Sequence, residues 1–186
     1  MSTIGPDVEP CPLETDDTER LVSRIGPDVE PRPLETDDTE RLVRMFSRLS
    51  TQTVRRRFFT VVPMLEGPLL DSLTAVDHDR HEALVVVVDD EVVGVASYHR
   101  DPDDPSAADI AVLVEDDWQQ VGLGRRLVER LAGLARGRGI ERFHADVLVD
   151  NRPAVGFIRR MNPSARGRYD GSDGALSFDL PLVPAA

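Results

Sequence analysis

Lysine is absent from this 186-residue chain: all 22 basic residues are arginine. The protein has no side-chain amine of its own to modify, and no lysine with which to build a P-loop. Cysteine is nearly absent too. Cys11 alone excludes an internal disulfide and any thiolate metal cluster. Basic charge is in deficit, with a formal net charge of −12, which argues against nucleic-acid partners because phosphate attraction needs a basic face. Long apolar runs are lacking: the longest aliphatic run, "ALVVVV" at 83 to 88, is far too short to span a bilayer. The first residues are acidic and proline-rich, with neither the basic nor the apolar stretch of a signal peptide. Together these absences predict a cytoplasmic protein that uses neither membrane nor nucleic acid, and no metal.

What is present starts with a duplication. "IGPDVEPCPLETDDTERLVS" (4 to 23) recurs as "IGPDVEPRPLETDDTERLVR" (25 to 44), differing only where Cys11 becomes Arg32 and Ser23 becomes Arg44. Two copies cannot bury a solenoid face, which needs about three or more. Only the second copy runs on into a helical pattern without meeting Gly-Pro. The reading is therefore a duplicated extension over 1–24, expected to be mobile, and one domain over 25–186, long enough for a single core.

Along that domain, "VEPRPL" (29 to 34) predicts a strand, and Asp37 and Glu40 are spaced as a capping pair for a helix from Asp37 to about Leu49. Short helices are expected near Val54 to Phe59 and Leu69 to Thr74. Three β-branched runs follow, at 83 to 88, 92 to 98 and 109 to 114, the first two joined by a tight "DDE" hairpin. Leu123, Leu127, Leu131 and Leu134 mark one face of a helix. A strand at 142 to 149, a helix opened by Pro153 and a last strand at 175 to 180 complete a mixed sheet of the α+β class.

The chemistry centres on "DDWQQVGLGRRLVERL" (116 to 131), where Gly122 and Gly124 join a strand to a helix. Amides at a helix N-terminus have no intrahelical acceptor and sit at the positive end of the macrodipole, so they suit an anion. A dinucleotide fingerprint would need a third glycine where Leu127 stands. What remains is Gln119-x-x-Gly122-x-Gly124 followed by Arg125 and Arg126, a pattern suited to a pyrophosphate. From Gln119 to Arg142 six arginines face two glutamates, a local +4 inside an acidic protein, which favours a small anionic ligand.

"ADIAVLV", "EDDWQQVGLGRRL" and "RFHADVLVDNRPA" resemble the coenzyme A-binding core of the GNAT superfamily of N-acetyltransferases, over roughly residues 28 to 183. "RLSTQTVRRRFF" and "ASYHRDPDDPSAADIAVLVEDDWQ" further resemble the bacterial and archaeal protein lysine acetyltransferases that silence acyl-CoA synthetases. The resemblance implies a mixed sheet whose central parallel strands splay apart, flanked by helices, with acetyl-CoA as co-substrate and its pantetheine arm in the wedge. Carried over, Val112, Leu113 and Val114 offer backbone to that arm. Gln119, Gln120, Val121, Gly122, Leu123, Gly124 and Arg125 hold the pyrophosphate, and Asn151 opens the helix beside the thiol.

The reaction so implied is direct attack of an amine on the thioester. A lysine with an ordinary pKa near 10.4 is charged at neutral pH, so a base must take its proton. Asp109 stands where the resembling enzymes carry glutamate; strand alternation groups it with Ala111 and Leu113, and apolar neighbours would make it a stronger base. The other reading of Asp109 is a carboxylate that merely faces solvent. His78, His81, His99 and His144 read as surface, capping or packed residues, with His99 a reserve candidate for the base. Ile158 replaces the tyrosine that many family members use as acid. The acceptor expected from the narrower resemblance is a protein lysine; a small-molecule amine, or no acceptor at all in an acyl-CoA-binding sensor module, are the alternatives.

Overall fold

Asp89 and Asp90 take left-handed φ angles of 51° and 64°, the conformation of a two-residue primed turn, whose twist matches that of the strands it joins. The hairpin it closes, β2 (His81–Val88) with β3 (Glu91–Arg100), forms the N-terminal side of the sheet. The computed structural model describes residues 29–169 and 174–182. The first repeat copy and the extension over 1–24 lie outside the described residues.

Among the described residues seven strands form one mixed sheet in the order β1-β2-β3-β4-β5-β7-β6. The other members are β1 (Arg32–Pro33), β4 (Ala107–Val114), β5 (Arg142–Leu148), β6 (Gly167–Tyr169) and β7 (Ala175–Pro181), with β1 and β6 at the edges. All pairs are antiparallel except β4 with β5. On one face lie α1 (Thr39–Arg48), α2 (Thr51–Phe58) and α3 (Gly67–Thr74). Leu42, Met45, Phe46 and Val54 from those helices pack there on Ala83, Val85, Val92 and Leu113. On the other face α4 (Leu123–Gly137) buries Leu123, Leu127 and Leu131 against Leu84, Val86, Ala96, Tyr98 and Ala108. Nearby α5 (Arg152–Met161) sets Ile158 against Ala145, Val147 and Phe178. Strand alternation thus feeds two cores, odd residues of β4 to one and even residues to the other. Gly94 lets α4 approach closely, since a Cβ there would come 3.1 Å from Leu127. No helix of the described residues is long and apolar enough to cross a membrane.

Several local expectations change. The strand expected over 29–34 contracts to Arg32–Pro33, because Pro31 and Pro33 have no amide to donate to a ladder. The capping pair is not Asp37 with Glu40. Asp38 is fully buried, accepts from the Glu35 amide at 3.0 Å and grips Arg32 through two contacts of 2.7 Å. In "RRRFF", Phe58 packs on Phe46 with centroids 5.9 Å apart, whereas Phe59 is exposed in a left-handed helix cap. Strand β6 carries no apolar alternation and has no counterpart among the expected elements.

Candidate functional site

Strands β4 and β5 run side by side for only three residue pairs, Ala107 with Arg142, Ala108 with Phe143 and Asp109 with His144. Beyond Asp109 they part, although β4 stays paired with β3 through Val114 and β5 with β7 through Leu148. The result is a wedge between two unpaired strand edges. Its polarity follows from two hydrogen bonds. The Ser106 carbonyl accepts from Arg142 on the β5 side, and the Glu115 amide donates to Val93 on the β3 side. In an unbroken strand the direction alternates, so Ile110, Val112 and Val114 turn their N–H and C=O into the wedge. Leu113 does not: its backbone serves β3 opposite Val95, which corrects its place among the groups offered to a ligand. The Val114 carbonyl is also engaged, by the Gln119 side chain at 3.1 Å. Ile110 adjoins the last β4–β5 pair, and Val112 lies beyond it with both backbone groups facing the gap.

At the end of β4 the chain passes through a 3₁₀ turn, Asp116–Trp118, into the glycine step. Trp118 is buried in the α4 core beneath it, as a packing residue. Asp116 ties the turn to α2: it accepts from the Ser50 amide at 2.9 Å, the Ser50 hydroxyl at 2.8 Å and the Thr53 hydroxyl at 2.7 Å. Partial burial works to raise the Asp116 pKa, but these donors outweigh it and hold the carboxylate below its usual range. Gln119 bonds Thr53 at 3.4 Å as well as Val114, so its side chain shapes the turn from within. Gln120 and Gly122 both have positive φ, 63° and 95°, reversing the chain so that α4 points its N-terminus at the wedge. The first amides with a helical acceptor are those of Arg125 and Arg126, both on the Gly122 carbonyl at 3.1 and 3.2 Å. Those of Gly122, Leu123 and Gly124 precede them and belong to the orphan set of a helix start.

Gly124 has no structural demand for glycine: an added Cβ would meet only Val114 Cγ2 at 4.0 Å. A bare Cα at that place keeps the approach to the orphan amides open, a cradle that a side chain would fill. This fits a phosphate drawn close to backbone. Of the remaining candidates, Leu123 sends its side chain into the core and can offer only its amide. Val121 packs partly on the α4 core. Arg125 is exposed and pairs with Glu129 at 2.7 Å. Asn151 caps α5, accepting from the Ala154 amide at 3.3 Å.

Asp109 lies at the apex of the wedge, on the α1–α3 face of the sheet. It is exposed, so the apolar surroundings expected for it are not there. The reason is architectural: its register neighbours are His99 on β3 and His144 on β5. Beyond β4 this face carries polar pairs, His144 Nδ1 with Asp179 at 2.5 Å and the Ser177 hydroxyl with Asp146 at 2.6 Å. The row continues on β2, where His81 stands opposite His99 and the two rings stack 3.8 Å apart. Three of the four histidines thus share one line with Asp109, a relationship invisible in a sequence where they lie up to 63 positions apart. His78 stays apart and contacts Glu82 at 3.1 Å. Among the described residues no three His, Cys, Asp or Glu side chains are placed to hold a metal ion together.

Helix α2 leans over this floor. Arg55 reaches Asp150 beyond β5 at 2.8 Å, across the mouth of the wedge. Arg57 is half-buried with its guanidinium 4.9 Å from the Phe58 ring centre, and burial draws its pKa below the usual arginine value. Of the three consecutive arginines of α2, Arg55 is exposed while Arg56 and Arg57 are partly buried.

Known proteins resemble this chain in sequence and in fold. The model of the acetyltransferase (GNAT) family matches residues 48–162. An acetyltransferase of Pseudomonas aeruginosa is 29% identical over 130 residues, 64% of this chain and 69% of its own length. The acetyltransferase Pat of Mycolicibacterium smegmatis is 34% identical over 104 residues, 55% of this chain and 31% of Pat, so the chain spans under a third of that relative. The crystal structure of the GNAT domain of S. lividans PAT has a TM-score of 0.73 at 28% identity, over 81% of this chain and 89% of that one. The matched span takes in the splayed strands, the glycine turn and the whole histidine–aspartate row, and on that ground the chain belongs to the GNAT family of acetyltransferases.

Proposed function

We propose that this protein transfers an acetyl group from acetyl-CoA to the side-chain amine of a protein lysine, with an acyl-CoA synthetase-type enzyme as the target class. The single observation that carries the reading is the parting of β4 from β5 at Asp109. It places an exposed carboxylate at the point where an extended thioester arm paired with Val112 would end. The orphan amides at Gly122 to Gly124 supply the anchor for the pyrophosphate at the other end of that arm. A protein acceptor is supported by the likeness to Pat and to the S. lividans PAT domain, and by an open, polar sheet face beyond β4.

The chain's own contribution is binding, orientation and proton removal. The turn and the β4 edge fix the thioester. The carboxylate of Asp109 takes a proton from the incoming ammonium, and the amine nitrogen then bonds to the acetyl carbon as the carbon–sulfur bond breaks. Ile158, buried in the α5 core, has no proton to give the leaving sulfur, so the sulfur takes, through solvent, the second proton that the nitrogen gives up as the amide forms. Aspartate is a methylene shorter than the family's usual glutamate, which supports a second reading as an acyl-CoA sensor without turnover.

Thiol release from acetyl-CoA, followed with a panel of amines and acyl-CoA synthetases, separates the readings. Turnover is expected with a protein acceptor, and Asp109→Asn is expected to lower it by about 100-fold or more while acetyl-CoA still binds. Binding without turnover on any acceptor would favour the sensor.

A further inference from the structure

We propose that His99 is the positioning residue that receives the proton Asp109 removes from the amine. The inference rests on the acetyl-transfer reading above. Asp109 and His99 occupy a hydrogen-bonded position of the β3–β4 ladder, directly opposite each other on the open face. Both side chains are exposed, so a proton can pass between them and on to solvent. A carboxylate alone is a poor place to leave a proton taken from an amine. An imidazole binds one roughly 400-fold more tightly, with ordinary pKa values of about 6.5 against 3.9.

The surroundings of His99 keep it ready. Partial desolvation first, and then the neighbouring His81 and Arg57, hold its pKa below the ordinary imidazole value, while a Ser72 backbone contact and the Asp109 charge work the other way. The groups facing it are thus His81 on β2, Asp109 on β4 and Arg57 on α2, with Ser72 from α3. At neutral pH the ring is uncharged and can accept. His81 cannot take its place. Its Nδ1 sits 3.0 Å from the Ala75 carbonyl and so donates, and its Nε2 is buried without a partner. Stacked on His99, it fixes that ring. His144, on the far side of Asp109, is tied to Asp179.

In the full step the ammonium proton moves to Asp109 and then to His99. The freed nitrogen pair forms the C–N bond, and the C–S bond breaks with its electrons on sulfur. The nitrogen gives up its second proton as the amide forms, the thiolate takes one through solvent, and His99 returns the first to solvent.

The test is the pH profile of kcat/KM for acetyl transfer, beside acetyl-CoA affinity by calorimetry. The wild type should lose activity as pH falls through an inflection below the ordinary histidine value. His99→Gln should abolish that inflection and lower kcat about tenfold or more, with acetyl-CoA affinity unchanged, whereas His144→Gln should keep the inflection. In parallel, the His99 ring titrated by NMR should show a lower pKa in Asp109→Asn, since the carboxylate that favours its charged form is gone. A wild-type profile in His99→Gln, loss of the inflection in His144→Gln instead, or an unmoved His99 titration would overturn the role while leaving acetyl transfer standing. Absence of any transfer despite acetyl-CoA binding would remove both.

Discussion

The Gln119 side-chain amide donates to the Val114 carbonyl at 3.1 Å, so the glycine turn hangs from the last residue of β4. The same nitrogen lies 3.4 Å from the Thr53 hydroxyl, which itself donates to Asp116. One side chain therefore joins the unpaired strand edge, the turn and helix α2. Replacing it with leucine removes the donor and leaves a half-buried carbonyl unmet, at a cost of about 1–3 kcal/mol. Gln119→Leu is expected to weaken acetyl-CoA binding about tenfold, measured by calorimetry, and to lower the melting temperature by about 2–12 °C. Unchanged affinity would mean that the turn keeps its shape without this link.

Gly124 makes the opposite prediction. Valine there strains nothing inside the protein, because φ is ordinary and the nearest atom to a Cβ is 4.0 Å away. Glycine is moreover a worse helix residue than valine by a few tenths of a kcal/mol. Gly124→Val should keep or slightly raise the melting temperature while weakening acetyl-CoA binding by about tenfold or more, since the side chain would stand where a phosphate approaches the amides. A variant that binds as the wild type does would place the ligand elsewhere.

Much of this site was legible because it is local. The Gln119–Gly124 spacing, the helix that Leu123, Leu127 and Leu131 mark, and the alternation along β4 are short-range patterns that a sequence states directly. The histidine–aspartate row was not legible, because it depends on the registers of β2, β3, β4 and β5 together, and a shift of one residue would turn any member to the other face. The inward turn of Arg57 was equally hidden. In "RRRFF" every arginine looks alike, and only the packing of Phe58 on Phe46 sets which one points at the sheet. Leu113 shows the same limit: its neighbours on either side face the wedge, but hydrogen-bond direction is a property of the ladder.

The two residues that distinguish the repeat copies both make ion pairs in the fold. Arg32 grips the buried Asp38, and Arg44 meets Glu91 at 2.9 Å. The first copy has Cys11 and Ser23 at those places, so it lacks both guanidinium groups. Arg32→Cys, which rewrites the second copy toward the first, should destabilise the domain by about 2 kcal/mol, because Asp38 keeps only Arg41 at 3.3 Å and the Glu35 amide. Arg44→Ser breaks an exposed pair and should cost about 0.5 kcal/mol or less. Denaturant melts of the two variants should rank in that order, and equal midpoints would show that the pairing does not select the copy.

Asp77 gives the stability a definite pH dependence. Its Oδ1 accepts from the amides of Asp79, Arg80 and His81 at 2.9, 2.8 and 2.8 Å, closing the turn that starts β2. Those bonds, the His81 amide foremost, depress its pKa to about 2. A depressed carboxylate contributes stability that is complete above its unfolded value of about 3.9 and is lost as pH falls through the folded value. Asp77→Asn keeps an acceptor oxygen but not the charge. The wild type should therefore be the more stable at pH 6, with the difference shrinking below pH 4 and vanishing only as pH falls below about 2. Denaturant midpoints across that range measure it directly. Because the turn places His81 under His99, the variant should also move the His99 ring resonances; if the stability gap stays constant from pH 6 to pH 2, the three amides are not binding a carboxylate.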